Sequence, residues 1–493
     1  MIIYKTWAIA SLLIYFGVLL FVSVRKNKNE TKEDFFLAGR KFPHWALAMT
    51  FVASWFGGTS ALVSVDQSFE QGISAWWIIG SPSIAASIVL YFLAKAIRNV
   101  GSLSQTEIIE NRYNRTAGLI VSVIVIWYMI TFASSQMVAL GKFFSSMFGT
   151  TYLTAIILGV SIVAVYSSIG GFRAVVLTDI IQFGLLAIGL VITAAVALKH
   201  SGGWESIQSA AAVKGQDDYF NFFANFRNNF FYLLSFGLAW IISADAWQRL
   251  AATKDEGEAR KMPLGGIVFF IPLYFLVAII GVASGALFNE LPEGGIVAAI
   301  TTEYLNPILG SIVFLGVAAA IMSTMSTAIN TGSLYVTDFY NRYVSPNASN
   351  KTVVRVGIAS TVGISLVGAI ISVRIPDALW VLWMSSDILA SGVLVPLIFA
   401  FIWKRGTAAG AIASLLAGSS FVLYNFMVDM GVKLPTFWPD SAERILYGLS
   451  LGLLSYIIVS YFTKPEYEKV ARFLESTQSR KAVAGDDTKE KIS

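Results

Sequence analysis

The stretch WALAMTFVASWFGGTSALVSV, residues 45–65, is apolar enough to cross a bilayer, yet it carries Gly57-Gly58 and then Thr59-Ser60 near its middle. Glycine weakens a helix interior. In hydrocarbon, non-helical backbone survives only where protein buries it or a cavity receives it. A turn unwound here would free carbonyl oxygens at the depth of the bilayer midplane. A glycine pair also lets two helices pack closely, and it is the polar pair next to it that favours the break.

A second interrupted stretch, FFYLLSFGLAWIISADAWQRL at 230–250, shows a comparable weakness around Gly237 and Ser243-Ala244-Asp245. Five spans separate the starts of the two, the spacing that an inverted repeat of five plus five helices requires. Composition agrees with the class: 56% of residues are hydrophobic, 13% are charged and the mean hydropathy is +0.68. The chain therefore reads as an all-α integral membrane protein of about thirteen transmembrane helices. We divide it into an extra N-terminal helix and loop (1–42), a first five-helix repeat (43–200), an outer loop with the second repeat (201–402), two additional helices (403–463) and a tail (464–493).

The first stretch lacks a basic leader and a small-residue cleavage site, so it reads as a retained span. Placing residue 1 outside assigns most of the 35 Lys and Arg to cytoplasmic segments, as the positive-inside rule favours. The clusters Arg25, Lys26, Lys28, Lys32, Arg40 and Lys41, and the polar tail, then serve as topology determinants rather than nucleic-acid surfaces. The expected location is the inner (plasma) membrane, with the N-terminus outside and a mobile C-terminal tail in the cytoplasm.

The chain has no cysteine and two histidines, His44 and His200, which argues against disulfides, thiolate chemistry and histidine-rich metal sites. No G-x-x-x-x-G-K-[ST] loop is present to bind ATP. No nucleophile, base and orienting group fall at enzymatic spacing, and no organic cofactor is expected. What remains is ion-driven transport, a channel, or a ligand sensor.

The two interrupted helices discriminate among these, and the ladder Ser323-Thr324-Met325-Ser326-Thr327, within the apolar run GVAAAIMSTMSTAINTGSLYVTDFY (316–340), is the candidate cation site. Hydroxyls one turn apart can ligate a small hard cation without burying a carboxylate for each ligand. They can also bond to the carbonyl four residues back. Three aspartates lie in or near spans, where ionisable groups are costly unless paired or functional. Asp179 is either a helix-end carboxylate reaching water or Arg173, or a functional group. Asp245 either pairs with Arg249 at i+4 or attracts a solute. Asp387 is either a hydrogen-bonded helix feature or a cavity residue.

DFFLAGRKFPHWALAMTFVAS (34–54), YSSIGGFRAVVLTDIIQ (166–182), AAAIMSTMSTAIN (318–330) and YVTDFYNRYVSP (335–346) together resemble the sodium:solute symporter family. The resemblance extends to about residue 465 and implies a LeuT-like core of two inverted five-helix repeats with broken helices. It implies sodium as coupling ion, held by the carbonyls of Ala53, Phe56 and Ala320 and the hydroxyls of Ser323 and Thr324. A second sodium is implied at Asp179, Ser323, Ser326 and Thr327.

ASWFGG (53–58), Asp66, LWMSSDIL (382–389) and KRGTAAGAIAS (404–414) are similar to the choline transporter branch. Trp55 matches a tryptophan of that branch's aromatic cage, while Ile84, Phe132 and Ser243 depart from it. Trp55, Gly57, Gly58, Thr59, Phe132, Ser243 and Asp245 are the candidate solute contacts. Trp76 and Trp77 could close over the solute or simply pack. A carboxylate at the break favours a zwitterionic or cationic amine, such as an amino acid or choline-like compound, over a sugar or polyol. The expected partners are that solute, sodium and the lipid bilayer, with a single chain as the functional unit.

Overall fold

The structure is a computed structural model, and it describes residues 2–24, 37–102, 104–436 and 443–478. The basic residues at 25–32 and the end of the tail lie outside these. In chain order the helices are α1 (Ile2–Val24), α2 (His44–Trp55), α3 (Ser64–Gln71), α4 (Trp76–Val100), α5 (Gln105–Arg112), α6 (Arg115–Phe148) and α7 (Tyr152–His200). They continue with α8 (Trp204–Val213), α9 (Phe226–Ile241), α10 (Ala244–Ala251), α11 (Glu256–Ser284), α12 (Ile296–Glu303) and α13 (Pro307–Phe339). The last are α14 (Asn350–Arg374), α15 (Ala378–Leu389), α16 (Val395–Ile402), α17 (Ala408–Asp429), α18 (Arg444–Phe462) and α19 (Tyr467–Gln478). No strand occurs among the described residues.

Eleven helical stretches among the described residues are long and apolar enough to span a membrane, against the thirteen expected. The difference lies in how helices join. Thr59–Val100 runs two expected spans together, and Tyr152–Ser168 is shorter than the rest. That short arm is divided from Gly171–His200 at Gly171, whose φ of 59° and ψ of −169° lie outside the helical region. Glycine adopts such a φ without the penalty an L side chain meets.

Side-chain caps fix the start of several helices where the backbone N–H groups lack partners. Asn114 Oδ1 accepts from Ala117 N, Asp255 Oδ1 from Glu258 N, and Asn306 Oδ1 from Leu309 N. The interior belongs to α13, which packs against α7 and α6, while the broken pair α2–α3 lies against α11 and α7. Lipid-facing apolar residues such as Phe92, Val268, Phe275 and Leu366 remain exposed. This inversion of the soluble pattern follows from an apolar solvent that does not drive Leu and Phe inward.

One expectation is narrowed and one is corrected. Gly237 sits inside α9, and the second break falls at Ile242–Ser243, where Ser243 is extended (φ −65°, ψ 128°). Asp66 of α3 accepts the Ile296 N–H at 2.9 Å through its carboxylate and caps α12. The tail is not uniformly free. α19 lies on α4 and α5 with Val470 and Phe473 buried, the Phe473 ring 5.5 Å from Phe401, and Asn99 Nδ2 donating to Thr477 O at 3.1 Å. Lys469 Nζ donates to Tyr113 O. Replacing the buried ring in Phe473→Ser should release α19, and trypsin would then cut quickly at Lys469 and Arg472. Equal cleavage of variant and parent would show that α19 is not held by this contact.

Candidate functional site

α2 stops at Phe56 (φ −87°, ψ 65°), and the chain re-enters helix through a π turn at Thr59–Val63. The break is kept open from two sides. Gln136 of α6 accepts the Gly58 N–H at 2.7 Å, and from α13 the Thr324 hydroxyl donates to the Ala53 carbonyl at 3.0 Å. A Cβ on Gly57 would stand 2.5 Å from Thr324 Oγ1 and overlap Gln136 Oε1, so only glycine admits this approach. Ala53, Phe56, Ala320, Ser323 and Thr324 are all buried. Three carbonyls and two hydroxyls suit a hard monovalent ion better than a transition metal. Among the described residues, no three His, Cys, Asp or Glu gather as a metal cluster.

One turn along the ladder the chemistry becomes ionic. Asp179 is buried and accepts the Ser323 hydroxyl at 2.6 Å and the Thr50 hydroxyl. Its other neighbour is Arg249 Nη2 at 3.2 Å, and this guanidinium has no solvent exposure. Arg249 also donates to Thr327 Oγ1 at 3.0 Å, to Thr50 Oγ1 at 3.1 Å and to the Asp245 carbonyl at 3.2 Å. Asp179 thus reaches neither water nor Arg173, which is exposed. Ser326 donates back to the Ser323 carbonyl at 2.9 Å.

Asp245 sits just past the second break, 3.9 Å from Arg249 Nη1. Its carboxylate accepts from Trp55 Nε1 at 3.0 Å, Ser54 Oγ at 3.2 Å and the Ser243 hydroxyl. Of the outcomes weighed for Asp245, the ion pair with Arg249 exists, and the same carboxylate also ties the two breaks together. Trp55 is not an open cage wall. Its ring lies 4.5 Å from Phe51, 5.2 Å from Trp240 and 6.0 Å from Phe270.

Phe132 stacks on Tyr128 at 5.8 Å, and Thr59 is buried in the π turn, where its carbonyl accepts the Ser64 hydroxyl. Asp387 meets both descriptions given for it: it accepts a hydrogen bond from Ser235 Oγ at 2.5 Å and lines a cavity with Trp380, Trp383, Met384, Asp429 and Arg444. Trp76 and Trp77 pack on Phe222.

Sequence reasoning missed Thr50, Gln136, Tyr128 and Trp240. The last two place a buried hydroxyl and a buried indole N–H without hydrogen-bond partners. A glutamine inside the apolar run of α6 was a usable signal. Thr50 gave none, since a threonine in a span is ordinary.

Residues 35–418 match the model of the sodium:solute symporter family. The chain belongs to that family. Within it, the chain is 26% identical to a sodium/glucose cotransporter of Vibrio parahaemolyticus, over 91% of this chain and 88% of the relative. It is equally 26% identical to a sodium/proline symporter of Haemophilus influenzae, over 93% and 95%. A solved sodium-coupled sialic acid symporter, outward-open and substrate-bound, shares the fold with a TM-score of 0.77 at 17% identity, over 93% of this chain and 98% of that one. These relatives are transporters. The symporter is accordingly a multi-pass membrane protein, and its bacterial relatives agree with a plasma-membrane location.

Proposed function

We propose that this symporter couples the entry of sodium to uptake of a small zwitterionic amine of the amino-acid class, with one chain as the transport unit. The observation that carries the reading is the Thr324–Ala53 contact at the first break, where hydroxyl and carbonyl oxygens converge with Gln136 fixing the backbone. Sodium taking the place of that hydrogen bond, with the Thr324 hydroxyl proton turned aside, would hold α2 and α13 together through Ala53, Phe56, Ala320, Ser323 and Thr324. The solute would lie between the two breaks, against Gly57, Gly58, Thr59, Phe132, Ser243 and Asp245. Tyr128 Oη and Trp240 Nε1 are buried donors in need of an acceptor, which a solute carboxylate supplies. Trp55 favours a zwitterion over a quaternary ammonium, because its ring is already stacked and its N–H committed.

Alternating access requires one side to be closed while the other opens. We assign the cytoplasmic side to the face where Gln105 Nε2 holds the Ile242 carbonyl at 2.6 Å, and where Arg342 bridges Asp338 at 3.0 Å, Glu107 at 3.3 Å and Glu110 at 3.4 Å. The basic segments that the positive-inside rule assigns to that side support this assignment, and with it an N-terminus outside. Opening inward must separate these contacts.

The test is a thermal-shift screen of purified protein against amino acids, other amines, sugars and carboxylates, each in sodium and in potassium. Ligands of the folded state raise its stability, so an amino acid should stabilise the protein in sodium only. Thr324→Val should lose that sodium dependence by tenfold or more, roughly 1.4 kcal/mol. A sugar hit would move the solute to the polyol class. A hit indifferent to sodium would favour a channel or sensor and overturn the reading.

A further inference from the structure

The second cation place that the resemblance implies already contains a positive charge. Its oxygens are those of Asp179, Ser323, Ser326 and Thr327. Of these, Asp179 Oδ2 and Thr327 Oγ1 are both within hydrogen-bond reach of Arg249 Nη2, at 3.2 and 3.0 Å. Ser326 points its proton at its own helix. Only Asp179 Oδ1 looks towards Ser323, the residue shared with the first sodium site.

Arginine stays protonated in proteins, and its planar fork satisfies several acceptors at once. Arg249 uses that fork on three elements: Thr50 of α2, Asp179 of α7 and Thr327 of α13, while Asp245 holds it from its own helix, α10. A sodium ion among the same oxygens would face this guanidinium with no water between them. Like charges in a low-dielectric interior exclude one another.

We propose that the guanidinium of Arg249 is the resident second cation of this symporter, and that each cycle therefore carries one sodium ion. This rests on the sodium-coupled reading above. Arg249 would bind the two breaks to the ladder permanently, and the first site alone would answer to the sodium concentration. Two carboxylates against one guanidinium leave one negative charge in the cluster. Through Ser323, that charge favours a sodium at the neighbouring oxygens.

The experiment is equilibrium binding of radioactive sodium to the purified full chain without solute, counting ions per molecule. One ion per chain with a Hill coefficient of 1 is expected. Arg249→Gln, which leaves the carboxylates and removes the charge, should bind two, while Arg249→Lys should return the count to one. Two ions on the parent protein would overturn the inference and leave sodium coupling intact, and so would one ion on Arg249→Gln. No sodium bound to the parent would overturn the sodium-coupled reading itself. If Arg249→Gln does not fold, the count on the parent decides.

Discussion

Gly57→Ala is expected to abolish sodium-dependent solute binding while the protein still inserts and folds as a bundle. A methyl group at this position would meet Thr324 Oγ1 at 2.5 Å and Thr324 Cβ at 2.7 Å, and would overlap Gln136 Oε1. Thr324 Cβ lies one bond from the α13 backbone, and Gln136 Oε1, though a chain end, is buried and held by the Gly58 N–H. Overpacking of this kind costs about 1–3 kcal/mol, and it is concentrated on the contact that aligns the Ala53 carbonyl with the ladder. Sodium affinity should fall by about 100-fold, equivalent to roughly 2.7 kcal/mol. The alanine itself favours helix over the parent glycine, so a general loss of folding is not the expected cause. Sodium titration of intrinsic fluorescence, beside gel filtration, would separate the two. Affinity within threefold of the parent would mean that the break tolerates a side chain and does not define the site.

Arg249→Met should be the most destabilising single change in the helical core when measured in potassium. It leaves Asp179 and Asp245 buried without their guanidinium, and breaking one side of such a cluster costs about 3–5 kcal/mol. The double variant with Asp179→Asn should recover part of that loss, because the orphaned charge is removed with its partner. The non-additivity is the quantity to read, since residues in one hydrogen-bonded network do not contribute independently. Thermal melts of the two single variants and the double variant would give it. Strictly additive losses would show that the Arg249–Asp179 contact at 3.2 Å carries no coupling.

Much of this site was legible because it consists of exceptions. Hydroxyls at 323–327 and glycines at 57–58 stand out against an apolar background, and family resemblance assigned the oxygens between them. The side-chain partners were less legible. Arg249 lies four residues from Asp245, which suggested a pair along one helix, yet its fork reaches across to Asp179 and Thr327 because α10 packs against α2 and α13 and the long side chain extends to α7. Local spacing cannot report such a reach. The second break, expected around Gly237 and Ser243-Ala244-Asp245, falls at Ile242–Ser243, the polar end of that stretch, where Gln105 of a distant helix donates to the freed Ile242 carbonyl. α19 was lost in a charged tail because its apolar stripe is short, Val470 and Phe473 with Leu474 partly buried beside them.

The docking of α19 also gives the chain a measuring device. With no cysteine anywhere in the sequence, thiol-reactive labels find no background targets. Arg472 on α19 and Asn111 on α5 are both exposed, on two helices in contact. Paired spin labels on Arg472→Cys and Asn111→Cys would turn that contact into a ruler, reporting in one distance distribution whether the C-terminal helix rides with α5 or parts from it as the bundle rocks.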